Sequence, residues 1–452
     1  MTLFVSLFFF TYGSMHAVVF RALRRATALR TRTRLLLVAW CLLMVTAPVL
    51  VRIFDLRGWT ALRTVMATTG YLWMAWIFLA MTMFLASDVL YLALSGADAI
   101  FRTRCAARVS SPRARFGVVA AASLLLVGYG VVEAQSLRVT PAVVAGSPAM
   151  RTPRFRIAHV SDVHVGPVSP WRLLERIEAA LDAAAPDLVV FTGDLVDGRM
   201  DGRAEDRAIL SRIASRRPTL AVTGNHEMIA GLGQAIGFLR SAGIAVLRNQ
   251  AVAPEPWLYI AGVDDPATGA YDGSTERLLL DGANGAFTVL LKHRPSLSPL
   301  SEGRFDLQLS GHTHGGQIFP FSLLVNRVNG LTAGIHRLAG RGVVAVSRGA
   351  GTWGPRVAEG PSLSLYHRFP AGSGQESAGI SISNVAPLSF RSRRISPPYP
   401  ATMRFAIASP SPYPPLPHRP RARCESPRLK RSKIRAADSS VTPTPLSRTS
   451  RK

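Results

Sequence analysis

Short apolar runs that each end in a polar cluster recur through the middle of this 452-residue chain. The runs cover residues 157–160, 188–191, 220–222, 287–291 and 305–309. Runs of this length, bounded by glycine and polar residues, predict buried strands. Apolar residues at helical spacing between these runs predict helices over residues 171–184, 204–213 and 232–239. Alternating strands and helices predict a layered α/β fold that binds ligands at its strand ends.

The polar clusters at the five strand ends contain residue types that bind divalent metal ions. In chain order they are Asp162 with His164, Asp194, Asn225 with His226 and Glu227, His293, and His312 with His314. Carboxylate and imidazole groups suit manganese, iron or zinc, and no cysteine lies between Cys105 and Cys424. Two divalent ions about 3.5–4 Å apart can clamp a phosphoryl group and activate a water. The residue types therefore predict metal-dependent phosphoester chemistry.

Each cluster also has a simpler interpretation when it is taken alone. An Asp-x-His pair is commonly a surface loop, a Gly-Asp pair is commonly a turn, and Asn225 could cap a helix. The ordered series of five favours a metal site instead. Other polar residues nearby are predicted to be structural: His159 in the core, Asp197 and Glu227 orienting metal ligands, and Asp264 with Asp265 in a turn.

Taken together, the clusters resemble a known superfamily. The series Asp162-x-His164, Gly193-Asp194, Gly224-Asn225-His226-Glu227, His293 and Gly311-His312-x-His314 resembles the calcineurin-like metallophosphoesterases over roughly residues 154–368. Gly315-Gly316-Gln317 and residues 346–351 are similar to the bacterial membrane-associated branch, whose members are phosphodiesterases. The resemblance implies a four-layer α/β/β/α sandwich that holds two divalent ions, which could be manganese, iron, zinc or cobalt.

The same resemblance implies a role for each residue of the site. One ion would be held by Asp162, His164, Asp194 and His314. The second ion would be held by Asp194, Asn225, His293 and His312, so that Asp194 bridges the two. His226 would be catalytic without binding metal, and would protonate the leaving oxygen or stabilise charge on the phosphoryl group. In this family a metal-bridging hydroxide is the expected nucleophile.

The first 134 residues have a different composition from the rest of the chain. Four nearly uncharged apolar runs, at residues 3–20, 35–51, 65–85 and 116–132, approach the ~20 residues that a helix needs to cross a bilayer. Six arginines in the first link and five in the third, against three in the second, predict that the first and third links are cytoplasmic. We therefore expect a four-helix anchor in the plasma membrane, with both chain ends on the extracytoplasmic side.

The remaining chain divides by composition into three parts. Residues 135–153 are predicted to be a short stalk, residues 154–369 the metallophosphoesterase domain, and residues 370–452 a disordered tail rich in proline, serine and arginine. The net charge of +26 suggests a nucleic-acid partner at first sight. Residues 151–370, however, carry 23 basic and 20 acidic side chains, so the basic excess lies in the membrane links and the tail. The charge thus gives no support to a nucleic-acid substrate.

The sequence predicts a membrane-anchored phosphoesterase that acts outside the cytoplasm. Anchoring favours a lipid-linked or envelope phosphoester as the substrate, with a diester favoured by the resemblance. One alternative is a metal-poor or inactive phosphoesterase fold that serves as a binding module, and another is a domain that regulates the membrane helices. The metal, the natural substrate and the oligomeric state are left open.

Overall fold

The computed structural model describes residues 2–108, 111–145, 154–166, 171–318, 320–338, 342–355, 357 and 379–387. The chain begins with helices. They are α1 (Thr2–Ala26), α2 (Thr31–Leu56), α3 (Thr60–Phe101), the single turn α4 (Cys105–Arg108) and α5 (Pro112–Glu133).

Among the described helices, α2, α3 and α5 are long and apolar enough to cross a membrane. These described helices could form an apolar membrane anchor, but they number three instead of the predicted four. Helix α1 covers the first predicted span, yet polar side chains such as Thr11, Ser14 and His16 interrupt its apolar run. It packs against α3 and α5 through a cluster that includes Tyr12 and Val19.

The rest of the described chain alternates strands with helices. The first half contains β1 (Leu137–Ala145), β2 (Arg154–Val160), α6 (Trp171–Ala184), β3 (Leu188–Thr192), α7 (Ala204–Arg216), β4 (Thr219–Val222), α8 (Asn225–Ala230), α9 (Leu232–Ser241), β5 (Ala245–Val246) and β6 (Gln250–Glu255). The second half contains β7 (Leu258–Gly262), α10 (Gly273–Asp281), β8 (Phe287–Leu291), β9 (Leu307–Ser310), α11 (Phe321–Asn329), β10 (Gly334–Arg337), β11 (Val343–Val346) and β12 (Gly379–Pro387).

The described strands form two six-stranded sheets, in the orders β1-β12-β2-β3-β4-β5 and β10-β11-β9-β8-β7-β6. Their facing sides share one buried core, to which Val190 contributes from the first sheet and Val289 from the second. The outer face of the first sheet is buried by helices, as Phe191 packs in one cluster with Leu174 and Leu210. The outer face of the second sheet packs with Leu280 of α10. The predicted four-layer α/β/β/α sandwich is confirmed.

Parallel pairing explains how distant polar clusters meet. Strands β2, β3 and β4 are parallel neighbours in the first sheet, and β8 and β9 are parallel neighbours in the second. Carboxyl ends of parallel strands lie at a common edge, and ligands bind there. Every predicted polar cluster follows one of these five strands, so the topology gathers all the clusters at one edge of the sandwich.

Two strands lie outside the domain boundaries that the sequence predicts. The predicted stalk contains β1, and the predicted tail contains β12, which lies between β1 and β2 in the first sheet. The segment Gly379–Pro387 alternates isoleucine with serine, which is the two-residue period of a strand, but the proline- and serine-rich composition around it hid this signal. Residues 388–452, the rest of the predicted tail, lie outside the described residues.

Candidate metal centre

The loops after the strands hold their polar residues in an unusual backbone conformation. Asp162, His164, Asp194, His312 and His314 all have positive φ angles, between 47° and 73°. The left-handed region costs an L-residue about 1–2 kcal/mol, and such residues concentrate at functional sites. Backbone hydrogen bonds hold the strained turns in place. The amide of His164, for example, donates to the carbonyl of Asp194 at 2.9 Å.

Two glycines permit the close approach of these loops. A Cβ atom added at Gly311 would lie 2.2 Å from Oδ2 of Asp162, and one added at Gly224 would lie 2.2 Å from Oδ1 of Asp194. Any side chain at either position would displace a carboxylate. Their role is therefore to let backbone pack directly against the acidic groups.

A first group of potential ligands comprises Asp162, His164 and His314, whose ligand atoms lie within 4.8 Å of one another. The Nε2 atoms of the two histidines are 3.0 Å apart. Nε2 of His314 is also 3.5 Å from Oδ1 of Asp162. Two imidazole lone pairs at this distance repel unless a proton or a cation lies between them, so the geometry suits a shared metal ion.

A second group comprises Asp194, His293 and His312. Nε2 of His293 lies 3.2 Å from Nδ1 of His312 and 3.2 Å from Oδ2 of Asp194. On its other side, the His293 ring donates through Nδ1 to the carbonyl of Thr192 at 2.8 Å. A donor bond of this kind fixes the tautomer and leaves Nε2 as the ligand atom.

Asn225 completes the oxygen and nitrogen donor set. Among the described residues, its Oδ1 is a buried atom that accepts no hydrogen bond. A buried amide oxygen without a partner is costly, and coordination to a cation would satisfy it. A donor set of carboxylate, imidazole and amide without thiolate fits manganese, iron, zinc or cobalt. A third group of His164, Asp194 and His226 overlaps the first two and contains Asp194, the predicted bridge.

His226 also lies at this edge, in contact with a carboxylate on the next loop. Its Nδ1 is 3.1 Å from Oδ1 of Asp197, and its backbone amide donates to Oδ1 of Asp194 at 2.8 Å. Burial lowers the pKa of His226, but the bond to Asp197 and the charge of Asp194 outweigh it and raise that pKa to about 9. Burial also opposes ionisation of Asp197, yet His164 and His226 hold its pKa well below the usual range. Asp197 and Asp194 therefore favour the protonated form of His226, which can donate a proton.

The ligand histidines differ in their readiness to bind metal. Burial and the charge of His293 lower the pKa of His312 to about 4, and burial lowers that of His314 to about 4 as well. Burial alone would also lower the pKa of His293, but the charge of the neighbouring Asp194 raises that pKa to about 10. His312 and His314 are thus in the neutral form that metal binding needs, whereas His293 would have to release a proton if a metal bound.

Glu227 ties the loops together, as the sequence predicts. Its carboxylate accepts hydrogen bonds from the backbone amides of Asp194, Val196 and Gly224, at 3.0, 2.9 and 2.7 Å. These bonds join the loop after β3 to the loop after β4. Glu227 thus fixes the position of Asp194 without facing the two ligand groups.

The other polar residues near the site have structural partners. His159 is fully buried and bonds through Nε2 to Oγ1 of Thr192 at 2.7 Å, in agreement with its predicted core role. Asp264 pairs with Arg248 at 2.8 Å, and Asp265 pairs with Arg294 at 2.8 Å. Asp265 also caps the turn that follows, so the predicted turn is confirmed.

Three neighbours of the site are absent from the sequence prediction. Nη2 of Arg52, near the end of α2, donates to the carbonyl of Ile229 at 3.3 Å. Tyr71 of α3 interacts electrostatically with Asp197. The ring of Trp353 lies 5.6 Å from that of His226. Each contact joins residues more than 120 positions apart, so local sequence patterns carry no signal for it.

Comparisons with known proteins found one matching family profile and several similar proteins. A profile of the calcineurin-like phosphoesterases matches residues 155–316. An uncharacterized metallophosphoesterase of Aquifex aeolicus is 36% identical over 238 residues, which cover 52% of this chain and 91% of that protein. A transmembrane protein with metallophosphoesterase domain from Danio rerio is 30% identical over 250 residues, which cover 51% of this chain and 56% of that protein.

A further bacterial relative is matched over about half of its own length. An uncharacterized metallophosphoesterase of Campylobacter jejuni is 34% identical over 45% of this chain and 55% of its own length. Among solved structures, a dimetal phosphatase from Danio rerio aligns with a TM-score of 0.30 at 11% identity, over 43% of this chain and 87% of that one.

Proposed function

This chain belongs to the calcineurin-like metallophosphoesterase family, and we propose that it is a membrane-anchored phosphodiesterase that uses two divalent ions. The observation that carries the proposal is the convergence of two pairs of imidazole nitrogens, 3.0 and 3.2 Å apart, around the carboxylates of Asp162 and Asp194. The two lone pairs of each pair repel at this distance unless a proton or a metal ion lies between them. A site of this kind is built for cations.

The residues divide between the two ions by their grouping. The first ion is assigned to Asp162, His164, Asp194 and His314, and the second to Asp194, Asn225, His293 and His312. When bound, two such ions supply Lewis acidity for the phosphoryl oxygens and lower the pKa of a water. Asp194 serves both ions, and Glu227 and the amide of His226 keep its carboxylate in place.

His226 is assigned to the leaving group. An alkoxide leaving from a phosphodiester needs a proton, and His226 carries one at neutral pH because Asp197 and Asp194 raise its pKa. The Asp197 carboxylate also fixes the tautomer, since it accepts from Nδ1 and directs Nε2 away from itself. The need for a proton at the leaving oxygen favours an ester with an alkyl leaving group as the substrate.

The substrate is proposed to be a lipid-linked or envelope phosphoester outside the cytoplasm. The arginine bias supports this topology: Arg30, Arg32 and Arg34 lie at the start of α2, and Arg113 and Arg115 lie at the start of α5. If both helix starts are cytoplasmic, both helices exit outward, and the domain after α5 is extracytoplasmic. This argument does not depend on whether α1 crosses the membrane.

Metal-dependent hydrolysis by the full chain in detergent tests the proposal. After chelation, manganese, iron, zinc or cobalt is returned singly, and hydrolysis of bis-p-nitrophenyl phosphate and p-nitrophenyl phosphate is measured along with metal content. We expect about two ions per chain and faster hydrolysis of the diester. Asp194→Ala should lower both metal content and activity, whereas Asp201→Ala, at an exposed carboxylate on the same side of the first sheet, should lower neither. Metal content near zero at saturation would refute the proposal and favour a binding module.

A further inference from the structure

Helix α11 exposes apolar side chains that a helix of a soluble domain would bury. Phe321, Leu324 and Val328 lie three and four residues apart, on one face, and are 49%, 56% and 73% exposed. The polar residue Ser322 faces inward instead, where its backbone lies so close to Gly316 that a Cβ there would be 2.2 Å from its Cα. Surface helices of soluble proteins bury their apolar stripe and expose their polar face. We call Phe321, Leu324 and Val328 the α11 stripe.

The α11 stripe is continuous with the surface of the membrane helices. The ring of Phe321 packs edge-on against that of Phe78 in α3, with 6.5 Å between centroids. Just before α11, Ile318 is buried in a cluster with Ala75 and Leu79 of α3. The chain therefore passes from the metal loop onto a spanning helix and then into α11.

Helix α5 fixes the depth of this contact. Its 22 residues are ~33 Å long, which matches the ~30 Å hydrocarbon core of a bilayer. Val127 and Val131 of α5 pack against the cluster that contains Ile318. Since α5 ends at Glu133, Val127 and Val131 lie only ~9 and ~3 Å below its end. Ile318 is thus at the margin of the hydrocarbon core, and α11 begins three residues later.

The metal centre lies close to the same margin. Ile318 lies four positions after His314, so the two are at most ~14 Å apart. Side-chain Nε2 of Gln317 donates to the carbonyls of Trp353 and Pro355, at 3.1 and 2.7 Å, which holds the Trp353 loop beside α11. Trp353 is half-exposed and contacts His226. Tryptophan at such a boundary is typical of membrane interfaces.

We propose that the α11 stripe is immersed in the leaflet on the catalytic side, where acyl chains cover Phe321, Leu324 and Val328. Continuity with α3 and the depth set by α5 identify the occupant as lipid. An interfacial helix lies with its apolar face about 5–10 Å into the boundary between headgroups and chains. Its attachment to the His314 turn then holds the metal loops at headgroup depth.

Immersion of the α11 stripe also affects how a substrate reaches the metal loops. This consequence rests on the proposed phosphodiesterase function. A phosphodiester in a lipid headgroup would reach the metal loops from the side without leaving the bilayer. Half-exposed Met228 and Ile229, next to His226 on α8, extend the apolar rim toward the site. The immersion itself does not require catalysis, and can be tested without it.

Site-directed photo-crosslinking tests the immersion. The full chain carries p-benzoylphenylalanine at Leu324 or, separately, at Val328, and is reconstituted in vesicles of equal parts phosphatidylethanolamine and phosphatidylglycerol. The matched control is Leu278, a 72% exposed leucine on the nine-residue helix α10. Helix α10 leads into the start of β8, whereas the metal loops follow the strand ends. All three positions are exposed, so the label does not disturb the core, and circular dichroism checks the fold.

We expect phospholipid adducts by mass spectrometry at residues 324 and 328, at least tenfold more abundant than at residue 278. A crosslinked dimer at 324 and 328 would overturn the proposal, because the occupant would then be a second copy of the chain. Equal lipid labelling at all three positions, or none at any, would overturn it as well. If the unlabelled protein had no phosphodiesterase activity, the proposed function would be refuted. The lipid crosslinking result would still stand.

Discussion

Replacement of Asp197 by asparagine tests how the site controls the proton on His226. The Asp197 carboxylate lies 3.1 Å from Nδ1 of His226 and 3.7 Å from Nδ1 of His164. Asparagine keeps the shape of the side chain and removes its charge. The main contribution that raises the pKa of His226 is then lost, and the pKa should fall from about 9 toward 6.5.

The size of the effect follows from titration alone. Near pH 7.5, roughly 97% of a group with a pKa of about 9 is protonated, against roughly 9% when the pKa is 6.5. If protonated His226 is the general acid, Asp197→Asn should lower kcat about tenfold at one pH unit above the pKa of His226 in the variant. The protonated form exists below the pKa, so activity should recover as the pH falls below that value. Bound divalent ions lower the pKa in parent and variant alike, so the difference between their midpoints is the quantity to compare.

The assay is the pH dependence of kcat for a diester with an alkyl leaving group, at saturating metal, with metal content measured in parallel. The alkaline limb of the profile should move to lower pH in Asp197→Asn. The control is Asp201→Asn, because Asp201 is exposed and pairs only with Arg199 among the described residues. Superimposable profiles for Asp197→Asn and the parent, at equal metal content, would refute the idea that Asp197 sets the protonation of His226.

Three further outcomes are expected. His226→Ala should retain both ions but lose about 10²–10⁴-fold in kcat, with a smaller loss for p-nitrophenyl esters than for alkyl esters; equal losses would argue against an acid role. Truncation before Ser392 should leave the melting temperature unchanged, whereas truncation before Ala371 removes β12 from between β1 and β2 and should cost about 5 kcal/mol or more. If both truncated proteins melted alike, the place of β12 in the sheet would be wrong. Protease added to intact spheroplasts should digest the domain after α5 and spare a cytoplasmic marker; protection of the domain until lysis would reverse the proposed topology.

The residues of the site could be predicted from the sequence because their signal is local. Each polar cluster follows directly on a short apolar run, and both features can be recognised from a few adjacent residues. The predicted helix at residues 171–184 coincides with α6, and the predicted strand at residues 287–291 coincides with β8. The predicted strand at 305–309 begins two residues too early, since β9 starts at Leu307.

Contacts between distant segments could not be predicted in the same way. The insertion of β12 between β1 and β2 depends on pairing across more than 200 residues, and composition alone favoured a tail. The pairing of Asp197 with His226 depends on how two loops meet, although both residues drew attention in the sequence. The α11 stripe gave no signal, because apolar residues at helical spacing predict a buried helix as readily as an exposed one.

The sequence by itself determined the fold class and the apolar helices that could form an anchor, and it predicted which side chains would bind metal. These follow from hydrophobic periodicity and from the chemistry of residue types, which are properties of short segments. Only the tertiary structure decided that the anchor and the metal loops share one margin, where Ile318 packs on Ala75 and Leu79. Tertiary contacts bring together residues that are far apart in the sequence. No short segment of the chain carries the information for such a contact.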